Sequence, residues 1–197
     1  MKIQRIAVYC GSKEGDSPVF AQAARGLGEA FAARGLDLVY GGAANGLMGA
    51  IASAVLAGGR EVTGIIPRGI ERQEWAHPGL TEAIRVETMH ERKALMAERA
   101  DAFIALPGGF GTMDELFDVL TQAQVGLHRK PIGLLNLEGY YEPIIAWVKL
   151  GLQRGFIPRA LEHVLVVQEQ PEALVEALLS HQPPSSAITW LVAPRSA

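Results

Sequence analysis

The sequence has one cysteine, no long apolar run and no secretory leader, and each absence excludes a class of protein. Since Cys10 is the only cysteine, no intrachain disulfide can form. No apolar stretch reaches the roughly 18 residues that a membrane-spanning helix needs, and the N-terminus MKIQRIAVYC lacks the apolar core of a signal peptide. We therefore expect a soluble, cytoplasmic protein without a membrane partner.

A strong charge of either sign is also missing, because the formal net charge is −3. Lysine and arginine form no cluster of the kind that follows a nucleic-acid backbone, so no nucleic-acid partner is expected. The five histidines show no metal-ligand spacing. Neither a Gly-Lys-Ser/Thr sequence nor a full G-x-G-x-x-G fingerprint is present. The sequence therefore predicts no metal site, no P-loop, no standard NAD site and no cofactor.

The composition is that of an ordinary globular protein, with 197 residues of which 49% are hydrophobic and 20% charged. This length fits one domain. We place that domain at residues 1–181 and expect an irregular tail at 182–197, which is rich in proline and serine.

Short apolar runs alternate with helix-period segments along most of the chain. The runs are RIAVYC, LDLVYGG, EVTGIIP, DAFIALPGG, PIGLLNL and HVLVVQ. Helices are predicted near residues 17–34, 46–58, 88–100, 112–127, 139–154 and 171–181. The alternation predicts an α/β fold, a Rossmann-like doubly wound parallel sheet with helices on both faces. Residues 67–87 look too long and irregular for a simple connection.

Glycine-rich loops follow several of the predicted strands, as CGS, YGG, IPRG and LPGGFG. In open parallel sheets, ligands bind beyond the carboxyl ends of the strands, and glycine lets backbone N–H groups approach an anion. The loop that contains Gly108, Gly109 and Gly111 precedes a predicted helix, whose N-terminus attracts phosphate. Candidate helpers in the other loops are Ser12, Gly41 and Gly42.

Two helix starts carry residues whose role the local pattern leaves open. Thr112 to Glu115 matches a capping box with Thr112 as N-cap, so Glu115 is either a cap or a chemical group. A second box, Thr88 with Glu91, is followed by Arg92 and Lys93. Cations are disfavoured near a helix N-terminus, so this pair is either a solvated surface pair or part of a site.

The motifs together resemble the LONELY GUY family of cytokinin-activating nucleoside 5'-monophosphate phosphoribohydrolases. The family signature P-G-G-x-G-T-x-x-E appears as PGGFGTMDE from Pro107 to Glu115, and the upstream Arg-Lys pair as Arg92 and Lys93. The resemblance covers about residues 5 to 160 in order. Ala43 and Gln122 depart from the residues common in the family, a glycine and a tryptophan.

The resemblance implies roles for individual residues. Arg92 and Glu115 would be catalytic. Substrate contacts would fall on Glu74, Lys93, Gly109, Phe110, Gly111, Thr112, Met113, Asp114 and Thr121, with Gly108 in the phosphate loop. The resemblance also implies at least a homodimer.

The implied activity is hydrolysis of the N-glycosidic bond of N6-substituted adenosine 5'-monophosphates, which releases the free base and ribose 5-phosphate. The family is often labelled lysine decarboxylase, but such decarboxylation needs pyridoxal phosphate held by a lysine, and we reject that activity. Two alternatives stay open: a broader nucleosidase for AMP and related monophosphates, and a nucleotide or cofactor carrier that catalyses nothing.

Overall fold

The structure, a computed structural model, describes residues 2–68, 76–182 and 184. Its strands are β1 (Arg5–Tyr9), β2 (Asp37–Tyr40), β3 (Val62–Pro67), β4 (Glu82–Val86), β5 (Ala102–Ala105), β6 (Ile132–Leu135) and β7 (Leu165–Gln168). Its helices are α1 (Pro18–Arg34), α2 (Gly46–Ala57), α3 (Met89–Arg99), α4 (Phe110–Gln124), α5 (Glu142–Arg154) and α6 (Pro171–Ser180). Short 3-10 turns lie at Leu137–Gly139 and Arg159–Leu161.

All strands of the described sheet run parallel, in the order β4-β3-β2-β1-β5-β6-β7. The chain builds outward from β1 to β4 and then returns to place β5 on the other side of β1. The strand order therefore reverses between β1 and β5, and such a switch point opens a crevice at the carboxyl ends of these strands. The predicted Rossmann-like, doubly wound fold is confirmed.

The core has two layers, one on each face of the sheet. Alternate residues of β1 point to opposite faces, as the pleat requires, with Val8 in one layer and Ala7 in the other. Helices α1, α2 and α6 cover the first face with side chains such as Phe31 and Ile51, while α3, α4 and α5 cover the second with side chains such as Met96. Both faces of the central strands are thereby buried, which explains their continuous apolar sequences.

The segment expected to be irregular, residues 67–87, contains a strand instead. β4 pairs in parallel with β3, with Ile65 opposite Ile84. As the edge strand it is mostly half-exposed or exposed, and its sequence EAIRV mixes charged and apolar residues. The segment therefore lacks the continuous apolar run that marks the inner strands.

Two expectations fall outside the part of the chain that the structure describes. One is the irregular tail at 182–197, of which only residues 182 and 184 are described. The other is Glu74, which lies in the undescribed stretch 69–75. The domain boundary at residue 181 stays a prediction.

Candidate active site

A cleft of about 390 Å³ opens at the carboxyl ends of the central strands, beside the switch point. The loops after β1, β2 and β5 supply its backbone-rich side, while Met48, Ile66 and Ala76 supply apolar surface. Of the residues predicted from sequence, the lining includes Ser12, Gly41, Gly42, Arg92, Gly109, Phe110, Gly111, Thr112 and Glu115. The glycine loops are thus gathered around one cavity, as their positions in the sequence predict.

Direct backbone contacts join the loops that form the cleft. The N–H of Gly11 donates to the carbonyl of Pro107 at 3.0 Å, which ties the loop after β1 to the loop after β5. The N–H of Leu47 donates to the carbonyl of Gly11 at 3.1 Å, which ties in the start of α2. Gly46 has a φ of 61° and lies so close to Ser12 that a Cβ there would collide with the Ser12 backbone. The walls of the cleft therefore position one another.

Helix α4 begins earlier than the sequence predicts, and Thr112 is not its N-cap. The cap is Gly109, whose carbonyl accepts the N–H of Met113 at 3.1 Å, and the helix starts at Phe110. Thr112 lies buried in the first turn, where its Oγ1 packs against Gly108 so closely that a Cβ on Gly108 would collide with it. The Thr112–Glu115 capping box is therefore wrong, because the helix already contains two residues, Phe110 and Gly111, before Thr112.

The N–H groups of residues 108 to 112 have no acceptor within the described part of the protein. Five consecutive donors at the start of α4 face a region where the helix dipole is positive, which is the arrangement that binds phosphate and carboxylate groups. The carbonyls of Leu106, Pro107 and Gly108 are all occupied by donors from neighbouring elements. The loop therefore presents donors rather than acceptors to an incoming anion.

Glu115 lies one and a half turns into α4 and is only 7% exposed. Burial raises the pKa of its carboxyl from 4.5 to about 7, although the nearby charge of Arg92 acts to lower it. The carboxyl therefore titrates near neutral pH, as a general base or an electrostatic catalyst commonly does.

Arg92 faces Glu115 from α3, with 3.6 Å between its Nη1 and the carboxylate Oε1. Its Nε donates to the carbonyl of Ile65 at the end of β3, at 3.2 Å. The guanidinium also packs against Gly41 so closely that a Cβ on Gly41 would collide with Nη2. Gly41 therefore leaves space for the Arg92 side chain. This packing role is additional to the ligand-binding role predicted for Gly41.

Lys93 and Asp114 form a second ion pair between the same two helices. Nζ lies 3.0 Å from one carboxylate oxygen and 3.1 Å from the other. Neither residue is among those that line the cleft. The two adjacent pairs, Arg92 with Glu115 and Lys93 with Asp114, hold α3 and α4 in a fixed register.

The remaining candidates from the sequence lie away from the cavity. Met113 is half-buried and packs against the core layer on its own face of the sheet. Thr121 is exposed, six residues beyond Glu115 on α4, which corresponds to about 9 Å along the helix. Gly108 is not among the residues that line the cleft, but it directly precedes Gly109, which is. The structure thus brings most, but not all, of the predicted residues together.

Sequence reasoning missed the apolar half of the cleft. Met48 is half-buried in the first turn of α2, Ile66 is the last residue but one of β3, and Ala76 forms an isolated antiparallel bridge with Ala43. Short apolar side chains at strand ends carry no motif, so their place in a pocket depends on how the loops pack. Cys10, directly after β1, is buried, and burial raises the pKa of its thiol.

A metal cluster and a membrane-spanning helix are both absent from the residues that the structure describes. No group of three or more His, Cys, Asp or Glu side chains in them is placed to hold a metal ion. None of their helices combines the length and the apolar character that crossing a membrane requires.

Fold and site together define a Rossmann-like α/β protein with a glycine-lined cleft at its topological switch point. A family model described as "Possible lysine decarboxylase" matches residues 48–178. A cytokinin riboside 5'-monophosphate phosphoribohydrolase from Arabidopsis thaliana, LOG7, is 44% identical over 188 residues, which cover 95% of this chain and 87% of the relative. The chain belongs to this family.

Other relatives agree with that assignment. A probable enzyme of the same description from Oryza sativa subsp. japonica, LOGL2, is 43% identical over 182 residues, covering 92% of this chain and 75% of the relative. Among solved structures, a molybdenum cofactor binding protein from Rippkaea orientalis has a TM-score of 0.70 at 22% identity, over 91% of this chain and 98% of the other. At that identity the likeness concerns the fold alone.

Proposed function

We propose that this protein hydrolyses the N-glycosidic bond of N6-substituted adenosine 5'-monophosphates, the cytokinin riboside monophosphates named for its relatives. The observation that carries the proposal is the buried Arg92–Glu115 pair, which lies in the same cleft as the unpaired N–H groups at the start of α4. The N–H groups suit the binding of a phosphate, and the charged pair suits the cleavage of a glycosidic bond.

In this proposal the 5'-phosphate is bound at the N-terminus of α4 by the N–H groups of Gly108 to Thr112. Ser12 and the loop of Gly41 and Gly42 border the same space. An anchored phosphate fixes the ribose beside Glu115, and such positioning converts binding energy into rate. The apolar surface of Met48, Ile66 and Ala76 is the region where a purine with an apolar N6 substituent would be buried.

The reaction adds water to C1' of the ribose while the bond from C1' to the base nitrogen breaks. The hydroxyl stays on the ribose and the proton is transferred to the departing base. The transition state has oxocarbenium character, as in other glycoside cleavages. Glu115 is placed to stabilise that cation, to bind the ribose hydroxyls or to orient the water. A guanidinium is a poor proton donor, so the role of Arg92 is to stabilise negative charge on the departing base or the phosphate.

The test incubates the purified protein with isopentenyladenosine monophosphate, AMP and isopentenyladenosine, and measures free base and ribose 5-phosphate. Release from both monophosphates at similar rates would support the broader nucleosidase, and release from none would favour the carrier. Glu115→Gln should remove most of the turnover with its fold intact. Wild-type rates in this variant would contradict the role of the carboxylate.

We propose further that the protein is a homodimer. Phe110 and Phe117 lie two turns apart on α4, and Phe117 makes an edge contact with Trp147 of α5 at 5.5 Å. Phe110 is 95% exposed, and Trp147 and Leu150 are about half exposed. This apolar surface suits a second copy of the chain. Light scattering of the wild type and of Trp147→Glu tests it, with a smaller mass expected for the variant.

The cytoplasmic location expected from the sequence is likewise part of the proposal. Its support is the single cysteine, Cys10, which is buried and free. Cell fractionation with an antibody to the protein would test it, and recovery in a membrane or secreted fraction would contradict it.

A further inference from the structure

We propose that Tyr140 is a positioning residue for phosphate recognition, because it orients the N–H of Gly109 toward the cleft. The inference rests on the proposed function for its substrate, but it concerns a residue outside the cleft lining. Tyr140 and Tyr141 lie between the 3-10 turn Leu137–Gly139 and the start of α5. Both side chains reach the loop after β5, because β6 is the neighbour of β5 in the sheet.

The two tyrosines hold two carbonyls of that loop. The hydroxyl of Tyr140 donates to the carbonyl of Gly108 at 2.6 Å, and the hydroxyl of Tyr141 donates to the carbonyl of Leu106 at 2.6 Å. The carbonyl between them, that of Pro107, accepts from the N–H of Gly11. Three consecutive peptide groups of the loop are therefore fixed from outside.

Fixing these carbonyls has different consequences along the loop. In a trans peptide group, the C=O of one residue and the N–H of the next point in opposite directions within one plane. Holding the Gly108 carbonyl thus aims the N–H of Gly109 away from Tyr140, and Gly109 lines the cleft. The Leu106 carbonyl shares its plane with Pro107, which has no N–H. Tyr140 therefore orients a donor, whereas Tyr141 only anchors the chain.

The tyrosine rings are themselves held in place. Asn136, at the end of β6, accepts the N–H of Tyr141 at 2.8 Å and donates to Glu142 at 2.7 Å. The Tyr140 ring meets the Tyr141 ring edge-on at 5.3 Å and the Phe20 ring at 6.4 Å. Glycine flexibility in the phosphate loop is thus countered from a rigid neighbouring element.

The experiment compares Tyr140→Phe with Tyr141→Phe, a matched control that removes an equal hydrogen bond from the same loop. In Tyr140→Phe, we expect KM for the monophosphate to rise about five- to tenfold with kcat nearly unchanged, since a donor to a charged group is misaligned. The inhibition constant of ribose 5-phosphate should rise by the same factor, while that of adenosine, which has no phosphate, should not change. Tyr140 is exposed, so the melting temperature should stay the same.

In Tyr141→Phe, the opposite pattern is expected: KM is unchanged, and the melting temperature falls because a fully buried carbonyl loses its donor. The inference is overturned if Tyr140→Phe leaves the affinity for ribose 5-phosphate unchanged, or if adenosine and ribose 5-phosphate weaken equally. Calorimetry with ribose 5-phosphate separates this inference from the proposed function. Wild-type protein that binds it without hydrolysing any monophosphate would refute the function only, whereas absence of binding would refute both.

Discussion

Glu115→Gln should gain stability relative to the wild type as the pH rises, although it removes a proposed catalytic group. Burial raises the pKa of this carboxyl from 4.5 to about 7. The folded state therefore binds the proton more tightly than the unfolded state does. Stability from this group is fully present below pH 4.5 and is lost as the pH rises toward 7, where the folded protein must carry a desolvated charge.

The size of the effect follows from the two pKa values. Between pH 5 and pH 8, linkage gives a loss of about 2 to 3 kcal/mol in the free energy of unfolding of the wild type. Glutamine does not ionise, so the variant lacks this loss. For a chain of this length, that difference corresponds to about 5 to 10 °C in melting temperature. The value of about 7 for the pKa of Glu115 already includes the attraction between Arg92 and the ionised carboxylate. Glu115→Gln should therefore gain on the wild type as the pH is raised.

The assay is urea unfolding of both proteins at pH 5 and pH 8. The difference between their free energies of unfolding should change by about 2 to 3 kcal/mol in favour of the variant over that range. Glu29→Gln, on the exposed side of α1, is a matched control in which the difference should stay constant. A pH-independent difference for Glu115→Gln would refute the reasoning, since it would mean that the carboxyl is charged in the folded state throughout this range.

Three further predictions concern activity and helix stability. The kcat/KM of the wild type should rise with pH and reach half its plateau near 7, as Glu115 ionises, and Arg92→Met should move that midpoint upward; a pH-independent rate would contradict this. Gly41→Ala should lower kcat/KM about tenfold or more with little change in melting temperature, because the added Cβ displaces the Arg92 guanidinium; unchanged kinetics would mean that the arginine position is unimportant. Thr88→Ala should cost about 1 kcal/mol in urea unfolding, since both bonds of its capping box are formed; Ser17→Ala on α1, whose cap bond is longer at 3.4 Å, should cost less.

The fold could be predicted from the sequence wherever a strand is buried on both faces. After the exposed Arg5, the rest of RIAVY is apolar and buried, as all of AFIA is, because helices cover both sides of the sheet. The edge strand β4 could not be recognised from its sequence, EAIRV. It pairs with only one strand, β3, and is largely exposed to solvent, so it needs no continuous apolar run. Thr88 and Glu91 were recognised as a capping box because that motif is local and needs no tertiary contact.

The start of α4 shows where local patterns stop being informative. Thr112 and Glu115 have the spacing of a capping box, as Thr88 and Glu91 do, yet only the latter pair forms one. In α4, Gly109 takes the N-cap position and the helix begins at Phe110, while Glu115 turns inward to face Arg92. Whether the motif caps or not is decided by the chain that precedes it and by an arginine more than twenty residues upstream.

The position of Glu115 also bears on the choice between a hydrolase and a carrier. A cleft that only bound a phosphate would gain from the donors at the start of α4 and from the cation of Arg92. A buried carboxylate beside the same anion would repel it and weaken binding. Glu115 costs folding stability once ionised, and Arg92 lies at a helix N-terminus that disfavours cations. The cost at Glu115 is compensated if the substrate develops positive charge on its ribose, and the cost at Arg92 if negative charge develops on the departing base. A bound molecule that never reacts develops neither charge.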